Sequence, residues 1–94
     1  MQTFLISYDL KTSNDDNAAV RKNLEKLGAK SVLESVWTYE SQDDKLKVAE
    51  KVSAAMKKGD RFVVAAIDGE IVDAEAPFST NKYIQTLAKK VSFL

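Results

Sequence analysis

Apolar residues recur along this chain at two periods, and the periods alternate in a definite order. The run from Thr3 to Tyr8 is strand-like in its β-branched and aromatic content and stops on an acidic residue, Asp9. A helical stripe follows at Val20, Leu24 and Leu27. Its segment opens with the capping-box pair Ser13 and Asp16 and stops at Gly28, predicting a helix at about residues 14–27 with Arg21, Lys22, Asn23, Glu25 and Lys26 on the wet side. Residues 30–40 return to strand formers. Glu34 and Ser35 interrupt Val32, Leu33, Val36, Trp37 and Tyr39, which leaves two readings open, a pair of strands about a tight bend or one bulged strand.

Ser41 with Asp44 repeats the cap pattern, and Leu46, Ala49, Val52 and Met56, flanked by Val48 and Ala55, predict a second helix ending at Gly59. Arg61 to Ile67 is a continuous apolar strand. Asp68-Gly69 signals a hairpin into Glu70, Ile71 and Val72, and Pro77 ends that arm. Ser79 or Thr80 would cap a terminal helix striped by Tyr83, Ile84, Leu87, Ala88 and Val91, with Lys82, Lys89 and Lys90 exposed.

The resulting order is βαββαβ followed by a hairpin strand and a helix. This predicts one α+β domain over residues 1–94, with a core at about 1–68, an extension at about 69–94, and both main helices on one sheet face. The other face would be polar if it met water, yet the strands are apolar on both parities: Phe4 and Ile6 against Leu5, Phe62 and Val64 against Val63, Ala65 and Ile67. Something must cover it. A homodimer meeting through Leu5, Val63, Ala65 and Ile67 is the simplest cover, and a terminal helix folded back over that face competes with it.

Composition narrows the chemistry. The 94 residues hold 45% apolar and 30% charged side chains with three Gly and one Pro, which fits a folded domain burying about 60–65% of its unfolded surface. With no Cys and no His, structural zinc, Cys or His nucleophiles and the Ser-His-Asp triad are excluded. A hard, oxygen-ligated cation such as magnesium or manganese is the metal that carboxylates could hold. No apolar run reaches a membrane span and the amino terminus lacks a signal-peptide pattern, so a cytoplasmic protein with no membrane partner is expected. Fourteen basic residues balance fourteen acidic ones, so any nucleic-acid binding must come from a local patch.

Asp9 is the first candidate for a site. It stands at the carboxyl end of a pinned strand, where ligands bind in many α/β sheets, although a solvated strand end or a turn cap explains it equally well. Arg21, Lys22 and Lys30, with Lys45, Lys47, Lys51, Lys57 and Lys58, would suit phosphate contacts. The competing reading is a solvated helix face, since Asp15, Asp16, Asp43 and Asp44 interleave with them. Ser35 suits the backbone at a bend better than a nucleophile's role, because no base lies near it in sequence, and Trp37 and Tyr8 suit a core.

Three segments carry a resemblance: residues 4–10 (Phe-Leu-Ile-Ser-Tyr-Asp-Leu), residues 20–29 from Val20 to Ala29, and residues 32–37 from Val32 to Trp37. In this order and spacing they resemble the small CRISPR-associated Cas-two family and its stand-alone relatives, including virulence-associated protein D ribonucleases, over about residues 3–68. The resemblance implies a ferredoxin-like fold, a homodimer, and an aspartate after the first strand, which Asp9 matches beside Tyr8. Arg21 and Lys22 match the family's basic stretch, and Ser35-Val36-Trp37 its serine-hydrophobic-aromatic element. Some members are metal-dependent nucleases of DNA or RNA, and others bridge integrase subunits in spacer acquisition. The 69–94 extension departs from the family, whose members end soon after their last core strands.

One carboxylate makes a poor magnesium site. Asp9 from both chains of a dimer would hold a cation at the two-fold axis, giving a magnesium- or manganese-dependent phosphodiesterase centre. A noncatalytic interaction module and a toxin-like ribonuclease outside any CRISPR system are the alternatives.

Overall fold

The computed structural model describes residues 1–11, 14–68, 71, 72 and 74–76, leaving aside the side chains of 14–16. Four strands and two helices follow in the order β1 (Gln2–Asp9), α1 (Asn14–Leu27), β2 (Lys30–Leu33), β3 (Val36–Ser41), α2 (Lys45–Val52) and β4 (Arg61–Ile67), with a 3₁₀ turn at Ser53–Ala55 after α2. The strands form one antiparallel sheet in the order β2-β3-β1-β4. This is the expected α+β architecture, with β1 paired on both sides along its length.

Pleat alternation sorts β1 into two sets. Phe4, Ile6 and Tyr8 lie opposite Tyr39 and Trp37 of β3 and opposite Ala66, Val64 and Phe62 of β4. They join Val20 and Leu24 of α1 and Val48 and Val52 of α2 in a single buried cluster, so both helices cover the same face. Each fully buried Val, Leu, Ile or Phe contributes roughly 1.5–3 kcal/mol through removal from water, which makes this face the source of the fold's stability. Thr3, Leu5 and Ser7 alternate with them on the opposite face, beside Glu40, Thr38 and Val36 and beside Ile67, Ala65 and Val63. No helix among the described residues lies over that side.

The ends of α1 follow from local chemistry. Gly28 adopts φ +91°, its N–H donates to Glu25 O, and the Ala29 N–H reaches back to Leu24 O, each at 3.0 Å. These paired bonds form a Schellman stop, closed by a residue without a Cβ to clash. The cap expected at Ser13 and Asp16 lies outside the described residues and side chains. On the face expected to be wet, Lys22, Glu25 and Lys26 are exposed, whereas Arg21 and Asn23 are half-buried. Asn23 Nδ2 donates to Lys51 O at 3.0 Å and to Val52 O at 3.4 Å, satisfying carbonyls at the end of α2 from the neighbouring helix.

Residues 30–41 form two strands, joined through Glu34 and Ser35, with a bulge between Ser31 and Leu33. The second helix differs from expectation in three respects. Its cap is Asp44, whose carboxylate accepts from the Lys47 N–H at 2.9 Å, while Ser41 ends β3 and its hydroxyl accepts from the Asp43 N–H. Its buried pair is Val48 and Val52, one turn apart. Leu46, two residues before Val48, is rotated about 200° to the opposite side and is 83% exposed. The helix closes at Val52, and after the 3₁₀ turn the chain is already extended at Met56, short of Gly59.

Strand β4 spans the expected residues. Of the expected hairpin, Gly69 and Glu70 lie outside the described residues, and Ile71 and Val72 are in no strand. The terminal helix also falls outside them. No helix of the described residues is long and apolar enough to cross a membrane.

Candidate functional site

Asp9 is set in place by the residue before it. The Tyr8 N–H donates to Ser35 O at 3.2 Å and its hydroxyl donates to Glu34 O at 3.2 Å, while the indole Nε1 of buried Trp37 donates to that hydroxyl at 3.3 Å. The Arg21 guanidinium stands 5.5 Å from the Trp37 ring centroid, a cation–π contact. Arg21, Trp37, Tyr8 and the β2–β3 turn therefore form one connected unit that fixes the end of β1. Tyr8 and Trp37 are core residues, as their sequence context suggested, while Ser35 contributes its main-chain carbonyl at the bend.

Asp9 itself is exposed, on the face away from the helices, and its carboxylate makes no hydrogen bond or ion pair among the described residues. Its partner across the ladder is Arg61, the first residue of β4. Beyond it, Asp60 joins two loops: Oδ1 accepts from the Lys11 N–H and Oδ2 from the Lys57 N–H, both at 2.8 Å. Gly59, at φ +97°, makes the turn that aims Asp60, and the Lys11 side chain lies across it, so that a Cβ added there would meet Lys11 Cδ at 2.9 Å.

The other residues singled out from sequence do not share this place. Arg21 lies on the helix side, committed to Trp37, and Lys22 is exposed on α1. Lys30 pairs with Thr38, which places it on the opposite sheet face. The three do not converge on one surface. Leu5, Val63, Ala65 and Ile67 do share a face, with Leu5 opposite Ala65; Val63 is 62% exposed and the other three are half-buried. Exposure on this side grows along β1, from buried Thr3 through half-buried Leu5 and Ser7 to exposed Asp9.

No group of three or more carboxylates, His or Cys among the described residues is placed to hold a metal ion. Asp9 of one chain, exposed and facing Arg61 across the ladder, does not by itself fit a divalent cation that seeks six oxygens. The perturbed titrations lie at the other end of the sheet. There Lys51 Nζ donates to Asp43 Oδ2 at 2.6 Å, and this bond holds the Asp43 carboxyl below its ordinary value and the Lys51 ammonium above its own.

Sequence reading missed Lys11, Asp60 and Arg61. The signal was faint: a Gly-Asp turn after two lysines, whose contact with Lys11 spans 49 positions. Neither a protein-family model nor a curated protein matches this chain.

Proposed function

We propose that this chain is a homodimeric, nucleic-acid-associated protein of the Cas-two type, with a ferredoxin-like βαββαβ core paired through its helix-free sheet face. One observation carries the proposal: Leu5, Val63, Ala65 and Ile67 lie on the same face as Asp9, with no described helix over them. An apolar sheet face is stabilised by a second copy, and a two-fold contact there turns one carboxylate into two. The strand order β2-β3-β1-β4 agrees with a ferredoxin-like core, and the fixed Tyr8-Asp9 strand end agrees with the family's aspartate.

The proposal assigns Asp9 to phosphodiester chemistry at the dimer axis, where a magnesium or manganese ion would need both chains' carboxylates. The test combines light scattering with cleavage of labelled DNA and RNA, with and without each metal, on the wild type and Asp9→Asn. A dimer whose metal-dependent cleavage disappears in Asp9→Asn is expected. A monomer, or cleavage untouched by the substitution, would overturn it.

A noncatalytic dimeric module is the second reading, and the Asp9–Arg61 register favours it. No ion pair joins the two, but Arg61 at the register position opposite Asp9 sets a like charge beside any cation bound there, which disfavours a divalent ion. Under that reading the dimer binds nucleic acid, or an integrase partner protein, without cutting anything.

A further inference from the structure

We propose that the nucleic-acid backbone is gripped by a basic rim at the carboxyl end of β1, made of Lys11, Lys58 and Arg61. The inference rests on the nucleic-acid reading above but assigns the contact to residues outside the helix faces.

Three observations support it. First, the fold gathers cations that the sequence separates. Lys11 follows β1, Lys57 and Lys58 precede β4, and Arg61 opens β4 opposite Asp9. The Lys11 side chain runs over Gly59, where a Cβ would come within 3.7 Å of its Nζ, so its ammonium lies at the same turn as Lys58.

Second, the charge at this end of the sheet is unbalanced among the described side chains, although the whole chain is neutral. Lys11, Lys58 and Arg61 stand there with two carboxylates, Asp9 and Asp60, and both oxygens of Asp60 already accept from backbone N–H groups. Lys11, Lys58 and Arg61 are exposed and have no acidic partner among the described residues, where the ion pairs join Lys47 to Glu50 and Lys51 to Asp43.

Third, the rim is preorganised. The two bonds accepted by Asp60 and the left-handed Gly59 tie the loop after β1 to the loop before β4, so the backbone that carries these cations is held in one place. Clustered, unpaired lysine and arginine side chains release condensed counterions when they meet phosphates, the term that dominates sequence-independent nucleic-acid affinity.

The experiment measures binding of fluorescent single-stranded DNA, single-stranded RNA and duplex DNA by anisotropy across a salt series. The wild type is compared with the triple variant Lys11→Gln, Lys58→Gln, Arg61→Gln and with a charge-matched control outside every candidate contact, Lys26→Gln, Lys89→Gln, Lys90→Gln. Circular dichroism melts confirm that both are folded. The rim variant is expected to bind at least about tenfold more weakly, with a log K against log salt slope shallower by about 2–3, while the control stays within about twofold of wild type. Equal losses in both variants, or a loss in the control alone, would overturn the rim assignment and leave nucleic-acid binding intact. A wild type that binds none of the three oligonucleotides at low salt would instead remove the functional reading on which the inference stands.

Discussion

Two residue-scale arrangements set what single substitutions do. The Tyr8 hydroxyl is the acceptor for the buried Trp37 indole and the donor to Glu34 O, so Tyr8→Phe keeps the ring's packing and strands a buried N–H. Orphaning such a group costs about 1–3 kcal/mol, and in a domain this small each kcal/mol lowers Tm by roughly 4–8 °C. Thermal melts that agree to within a degree would show that the indole finds another partner. The Asp43–Lys51 pair gives a pH signature. Because the Lys51 hydrogen bond holds Asp43 below 3.8, its contribution is complete above that value and is lost as pH falls through the lowered one. Lys51, held above 10.5, keeps its contribution below that value and loses it as pH rises through the raised one. Denaturant melts of wild type and Lys51→Met should therefore differ by a constant amount between about pH 5 and 9 and begin to converge only below 3.8, as pH falls toward the lowered Asp43 value. A difference that persists unchanged in acid would mean the charge pair is not its origin.

At the scale of elements, the sequence was legible wherever a local rule had no competitor. Gly28 terminates α1 because no L side chain adopts its backbone angle cheaply, and the helix limits follow from that residue and the Val20-Leu24-Leu27 stripe. With open space around an added Cβ, Gly28→Ala isolates the backbone contribution. It should cost about 1–2 kcal/mol, read as a lower denaturant midpoint at unchanged m-value. No change in midpoint would mean the end of α1 is held by packing and not by its cap. α2 was misjudged because Leu46, Val48, Ala49, Val52 and Met56 allow more than one apolar arc, and only the tertiary contacts select Val48 and Val52. Asn23 was equally opaque: a polar residue on a charged stretch looks solvated until a neighbouring helix presents carbonyls to it.

For the whole molecule, local sequence reports which strands form but not which distant residues meet. Asp9 could be picked out from its place after an apolar run, and the two-sided strands pointed to an uncovered face. The neighbours that give Asp9 its setting, Arg61 by register and Asp60 through Lys11, depend on β4 pairing with β1, a contact between the ends of the core. That same pairing places Val63 on the helix-free face at 62% exposure, where a charge costs the isolated chain little but would be buried in a two-fold contact. Val63→Lys separates the two cases. If two copies meet through this face, the wild type has twice the 10.4 kDa chain mass in light scattering and a Tm that rises with concentration, since assembly stabilises the folded state by mass action. The variant should then run at the single-chain mass, with a Tm independent of concentration and the same circular dichroism spectrum. Two lysines brought together in an apolar contact cannot both keep their water, and dissociation is the cheaper outcome. A Val63→Lys protein that remains dimeric at micromolar concentration would place the contact elsewhere on the surface and separate Asp9 from its proposed twin.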